Sequence, residues 1–148
     1  MRASPARYNR DVLRDRLLGG LVAVGSIAML ATGASLTPDH AGHGTHTQLG
    51  MPACGWAIAF DRPCPTCGMT TAVSQLAHLD PLGSLATQPM GMLIGAGAAV
   101  AFWAGLHAGL FGVRLAPITR PLTGARAWWL IGGLVVAAWV YKLLTWTG

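Results

Sequence analysis

Three uncharged apolar runs decide what this chain can fold into. Leu17 to Leu36 carries no charged side chain, and neither does Pro89 to Val113. Ala127 to Tyr141 makes a third run that continues past Lys142 to Thr147. Each is long enough to cross a hydrocarbon core of ~30 Å as a helix. Lipid offers no partners for backbone N–H and C=O groups, so an uninterrupted apolar run must satisfy them internally, as a helix does. The expected fold class is therefore all-α integral membrane protein, with transmembrane helices over 17–36, 89–113 and 127–147. Composition agrees: 10% of the residues are charged, against ~25% in a soluble globular domain. With 148 residues there is room for one domain. Trp128 and Trp129 at one end of the third run, with Tyr141 and Trp146 at the other, match the aromatic belts of membrane interfaces. Lys142, near the end of that run, is expected to carry its ammonium out to the headgroups.

The basic residues orient the chain. Arg2, Arg7, Arg10, Arg14 and Arg16 precede the first run, Arg62 follows it, and Arg114, Arg120 and Arg126 lie between the second and third. Cytoplasmic segments carry the Lys/Arg excess. Residues 1–16 thus read as a basic cytoplasmic N-terminus and 114–126 as a basic cytoplasmic loop, which puts 37–88 outside. A basic start before an apolar run also describes a cleaved signal peptide. This run is longer than a signal core, so a retained anchor is expected.

The outer segment divides in three. Residues 37–66 form a Cys/His loop broken by Pro38, Gly42, Gly44, Gly50, Pro52, Gly55 and Pro63. Over 67–79 a helical period places Met69, Ala72, Val73, Leu76 and Leu79 on one face, with Cys67, Thr70, Thr71, Ser74 and His78 opposite. That predicts a short amphipathic helix, interfacial or re-entrant, because it cannot span the bilayer. Asp80-Pro81 ends it, and 80–88 reads as a loop. Gly91, Gly95, Gly105 and Gly109 have the spacing that lets membrane helices approach closely, here expected between the second and third spans. His107 reads as an interfacial or bundle-facing side chain and not as a heme or metal ligand.

All three cysteines, Cys54, Cys64 and Cys67, fall in the outer segment, a compartment that permits disulfides. Cys64 sits near the expected N-cap, Pro65 suits the first helical position, and Cys67 falls in the first turn. A helix start favours thiolate, which is both the metal ligand and the nucleophile of disulfide exchange. Three uses stay open. The sulfurs can bind a metal, with zinc the candidate ion and His40, His43 and His46 as further ligands toward the four of a closed site. The tract carrying those histidines also reads as a solvated linker. Two sulfurs can form a structural disulfide. Or Cys64 and Cys67, with Cys54 as resolving thiol, can act as a membrane thiol–disulfide oxidoreductase, although three spans and an odd cysteine count equip such an enzyme thinly. No basic stripe interleaves with aromatics, which excludes nucleic-acid binding. Phosphate loops, paired carboxylates and serine-nucleophile turns are absent from the sequence.

Cys64-Pro65-Thr66-Cys67-Gly68-Met69-Thr70, with Cys54 upstream and Gln88-Pro89 opening the next span, resembles a family of small bacterial integral membrane proteins of unknown function. That family's pattern is Cys-Pro-x-Cys-Gly-Leu/Met-Thr-Arg with a later Asn-Pro, and the likeness covers roughly residues 54–110. Thr71 stands where the family has arginine and Gln88 where it has asparagine. The resemblance implies a bacterial inner-membrane protein and supplies no activity. The function expected is a non-catalytic accessory, or a subunit of a larger membrane complex, whose outward cysteine motif binds metal or forms a disulfide. Its other partner is the lipid bilayer itself.

Overall fold

A computed structural model describes residues 5–113 and 124–146. Every regular element among them is helical: α1 (Pro5–Ser35), a 3-10 turn (Thr45–Leu49), α2 (Gly55–Phe60), α3 (Met69–Ala77), α4 (Pro81–Thr87), α5 (Pro89–Phe111) and α6 (Ala125–Leu144). Three helices are long and apolar enough to cross a membrane, over Asn9–Ser35, Pro89–Phe111 and Ala125–Leu144. Leu21, Val100, Trp129 and Leu130 point outward from them, as a lipid-facing surface requires. Arg2, Arg114 and Arg120 lie outside the described residues.

Helices α1 and α5 run antiparallel in close contact, and glycine makes that approach possible. A Cβ on Gly105 would lie 2.7 Å from the Gly19 carbonyl oxygen and 2.8 Å from the Ala23 nitrogen. Only hydrogen fits there. Arg16 ties the same end of the pair, donating from Nη2 to the Leu110 carbonyl at 2.8 Å. The upper half of α5 packs on α3: added Cβ atoms would meet Ala72 from Gly91 at 2.8 Å and Leu76 from Gly95 at 2.7 Å. The glycine series therefore joins the second span to the first span and to the short helix, not to the third as its spacing alone suggested. Four-residue spacing marks a smooth helix face without naming what covers it. On α6, Gly132 and Gly133 face open space.

Helix α3 lies across the cysteine end of this pair. Its apolar face goes down onto α5 and onto Gly33 of α1, where Val73 Cγ1 would meet an added Cβ at 3.1 Å. Its polar face is covered as well. The Thr71 hydroxyl shares a 2.8 Å hydrogen bond with Thr45, and Ser74 donates to the Leu36 carbonyl at 2.8 Å. Residues 80–88, expected as a loop, hold α4. Leu79, in the left-handed region at φ 64°, closes off α3, and Asp80 caps the new helix, accepting from the Gly83 N–H at 2.8 Å, with Pro81 at the first position. The Asp-Pro signal is an end and a start at once.

The stretch 37–66 is also more ordered than a linker. Asp39 accepts from the Ala41 N–H at 2.8 Å and donates its own N–H to Thr45 Oγ1 at 3.0 Å. Gln48 closes a reciprocal pair with the Thr37 backbone at 3.0 and 2.7 Å. Helix α2 buries none of its residues, and Trp56, Ile58 and Phe60 are exposed. An apolar helix on the rim suits the headgroup boundary.

Candidate metal centre

The chain reverses sharply between Cys64 and Cys67. The Cys67 N–H donates to the Cys64 carbonyl at 3.0 Å, and the Met69 N–H to Thr66 at 3.1 Å. Gly68 follows in the left-handed region at φ 87°, where an added Cβ would meet the Gly42 carbonyl oxygen at 2.7 Å. Glycine is required there twice over, by backbone sign and by space. The turn delivers both sulfurs to one side. Cys54 arrives from another direction as the N-cap residue of α2. The three Sγ atoms all lie within 4.8 Å of one another and carry free thiols.

These positions correct the expectation of a thiolate pair at a helix start. Helix α3 begins at Met69, behind the left-handed Gly68, so Cys64 and Cys67 belong to the turn before it. Cys67 is buried. Its thiol is pushed up to about 11, first by that burial and then by the neighbouring Cys64 and Cys54 sulfurs. The residue expected to be an activated thiolate is instead held above the ordinary thiol range. Cys54 moves the other way. Its thiol sits below the ordinary range, chiefly because the Ala57 N–H faces it, with smaller help from Cys64, the Trp56 N–H and Cys67, and against a rise from burial. The Ala57 approach does not close a regular capping hydrogen bond.

A cavity of about 300 Å³ opens beside the sulfurs, lined by Cys54, Cys64, Cys67, His46, Met51 and Met69 among others. A second, of about 250 Å³, is lined by His43 and His46 together with Cys54, Cys67 and Trp146. His43 Nδ1 lies 2.9 Å from the Ala41 carbonyl, and its ring centroid lies 4.5 Å from that of Trp146. His46 Nε2 lies 3.2 Å from the Pro52 carbonyl. Among the described residues the ligand cluster contains only the three cysteines. His43 and His46 line its approaches, while His40 is exposed and lines neither cavity. His107 is exposed on α5, with Nδ1 2.8 Å from the Trp103 carbonyl.

Two further side chains belong to the site. Gln88 is fully buried under the turn, its Nε2 3.4 Å from the Pro65 carbonyl and its Oε1 unpartnered. Lys142 does not reach for headgroups. Its Nζ is drawn into the site, donating to the Gly42 carbonyl at 3.1 Å and to Thr87 at 3.3 Å. Its two acceptors are one loop carbonyl and one at the end of α4. The sequence offered one hint, that Lys142, Tyr141 and Trp139 cluster in the last turns of the span.

Chemically, three sulfurs this close repel one another once ionised, and a cation among them removes that repulsion. A zinc–thiolate bond is ~2.3 Å, so the sulfurs need draw in by only about an ångström around such an ion. A disulfide would join two sulfurs and strand the third.

Residues 54–103 match the model of a family described as protein of unknown function, DUF2752. The matched segment begins at Cys54 and takes in all three cysteines, α2, α3, α4 and most of α5. Neither a curated protein nor a solved structure matches the chain.

Proposed function

We propose that the Cys54–Cys64–Cys67 cluster binds one thiophilic metal ion, with zinc the leading candidate, on the outer face of a bacterial inner membrane. The observation that carries this reading is the mutual approach of three sulfurs from two separate backbone segments. A disulfide needs two sulfurs; a metal employs all of them. A fourth ligand would have to be drawn in from His46 or His43, which line the cavities beside the sulfurs.

Sidedness is supported by how charge divides between the two ends of the bundle. Arg16 lies at the end where α5 finishes, and Arg126 at the start of α6. The sulfurs lie at the opposite end, with the finish of α1, the start of α5 and the finish of α6. An arginine-rich end belongs in the cytoplasm. The chain would then act as an accessory or subunit of a larger membrane assembly, holding metal or a metal-rigidified surface toward the outside. The cysteine string's likeness to the bacterial family pattern fits that setting.

Metal analysis of the purified protein tests the reading. About one zinc per chain is expected, lost in Cys64→Ser. After chelation and gentle reduction, an impermeant maleimide should label the thiols in intact cells. Metal-free wild-type protein, or labelling only after the bilayer is opened, would overturn the ion or the orientation respectively.

A further inference from the structure

Lys142 is buried to 5% exposure, and no carboxylate pairs with it among the described residues. Two backbone carbonyls take two of its three N–H bonds, and the Trp146 ring lies 5.9 Å from Nζ. These contacts orient the ammonium without neutralising it, and an uncompensated buried charge is costly. The neighbouring group that can carry opposite charge is the sulfur cluster. Nζ would lie 3.4 Å from a Cβ placed on Gly68, the residue after Cys67.

Resting on the metal reading above, we infer that Lys142 is the counter-cation of the centre and sets it for a divalent ion. Three thiolates, one divalent ion and one ammonium together carry no net charge. A monovalent ion in the same place leaves a negative charge in a half-buried site. Loading a divalent ion releases three thiol protons to solvent and moves no electrons. The lysine comes from the third span while the sulfurs come from the loops, so the loaded centre also fastens α6 to the cysteine layer. The thioethers of Met51 and Met69 on the cavity wall are the feature that argues for monovalent copper instead, since thioether suits that ion. The buried ammonium argues against it, since a unit charge a few ångströms away is only partly screened in a half-buried site.

The test uses the full chain in lipid nanodiscs, stripped of metal and titrated anaerobically with Co(II) and, separately, Cu(I). Wild type should bind one Co(II) with the sulfur-to-metal charge-transfer intensity of three thiolates. Lys142→Gln, which can still donate to the Gly42 and Thr87 carbonyls, should bind Co(II) about tenfold or more weakly, with intensity nearer that of two thiolates. Lys142→Arg should restore both. Wild-type strength and intensity in Lys142→Gln would overturn the inference. So would stoichiometric Cu(I) without Co(II) in wild type, an outcome that leaves the metal reading standing and does not depend on any variant folding. Binding of neither ion removes the metal reading itself.

Discussion

Trp139 donates its indole N–H to the Pro63 carbonyl at 3.0 Å, one residue before Cys64. Tyr141 donates to the Ala86 carbonyl at 2.8 Å in the same turn of α6. With Lys142, these bonds seat the third span on the cysteine layer, while its apolar contact with α5 is light. Pro63 is fully buried, so its carbonyl depends on the indole for a partner.

Trp139→Phe keeps most of the ring and removes the donor. An unsatisfied buried acceptor costs ~1–3 kcal/mol, so thermal unfolding in detergent should fall by several degrees. Trp129→Phe, on an exposed face, should leave it within error. Equal effects would mean that α6 is held by ring packing alone.

Thr45 and Thr71 are both 1% exposed and share one hydroxyl pair, while Thr45 Oγ1 also accepts the Asp39 N–H. Thr71→Val leaves the Thr45 hydroxyl a partner short and should destabilise by ~1–3 kcal/mol. The double change Thr45→Val with Thr71→Val should cost less than the two single losses added together. Additive losses in denaturant titrations would show the two hydroxyls to be independent.

Gly68→Ala should harm the proposed metal centre more than the spans. Its φ of 87° strains any residue with a Cβ, and the Gly42 carbonyl stands 2.7 Å from where that Cβ would be. About 1–2 kcal/mol of backbone strain should fall on the turn that aims Cys64 and Cys67. Metal content should drop while helicity by circular dichroism is kept. Full metal occupancy in Gly68→Ala would mean the turn tolerates another path.

These residues also show where sequence was enough. The spans were legible because lipid leaves the backbone no choice, and absence of charge is visible along a single run. The cysteines could be grouped, since a Cys-x-x-Cys spacing confines two sulfurs. The approach of Cys54 needed the fold, because it depends on where α2 starts. Lys142 was misread because a lysine near a span end has two outlets, headgroup or buried carbonyl. Only Gly42 and Thr87, distant in sequence, decide between them. Helix α4 went unseen because Asp80-Pro81, which bars the first helix from continuing, also supplies the cap and first residue of the next.

The glycines of α5 and its neighbours divide into occupied and open positions. A Cβ at Gly105 would lie 2.7 and 2.8 Å from α1 backbone atoms, so Gly105→Ala must force α1 and α5 apart, whereas a Cβ on Gly97 touches nothing within 4 Å. Overpacking costs ~1–3 kcal/mol or more where backbone must move. Gly105→Ala should lower the yield of monodisperse protein and its unfolding temperature, and Gly97→Ala should change neither. Equal tolerance would mean the two helices do not approach this closely in lipid.

The thiols themselves should separate by pH in metal-free, reduced protein. Cys54 lies below the ordinary thiol range and Cys67 at about 11, so alkylation near neutral pH should modify Cys54 well before Cys67. Reaction at Cys67 should keep accelerating toward pH 11, since the thiolate is the reactive species. The stability consequence has a definite sign. A thiol whose folded pKa is raised favours the folded state while protonated, so its contribution is whole below 9.0 and disappears as pH climbs from 9.0 to about 11. Cys67→Ser, which does not ionise there, should flatten that alkaline decline. Peptide mapping of alkylated Cys54 and Cys67 across pH 7 to 11 checks the order, and Cys67 reacting first would place the buried sulfur on the wrong side of the cluster.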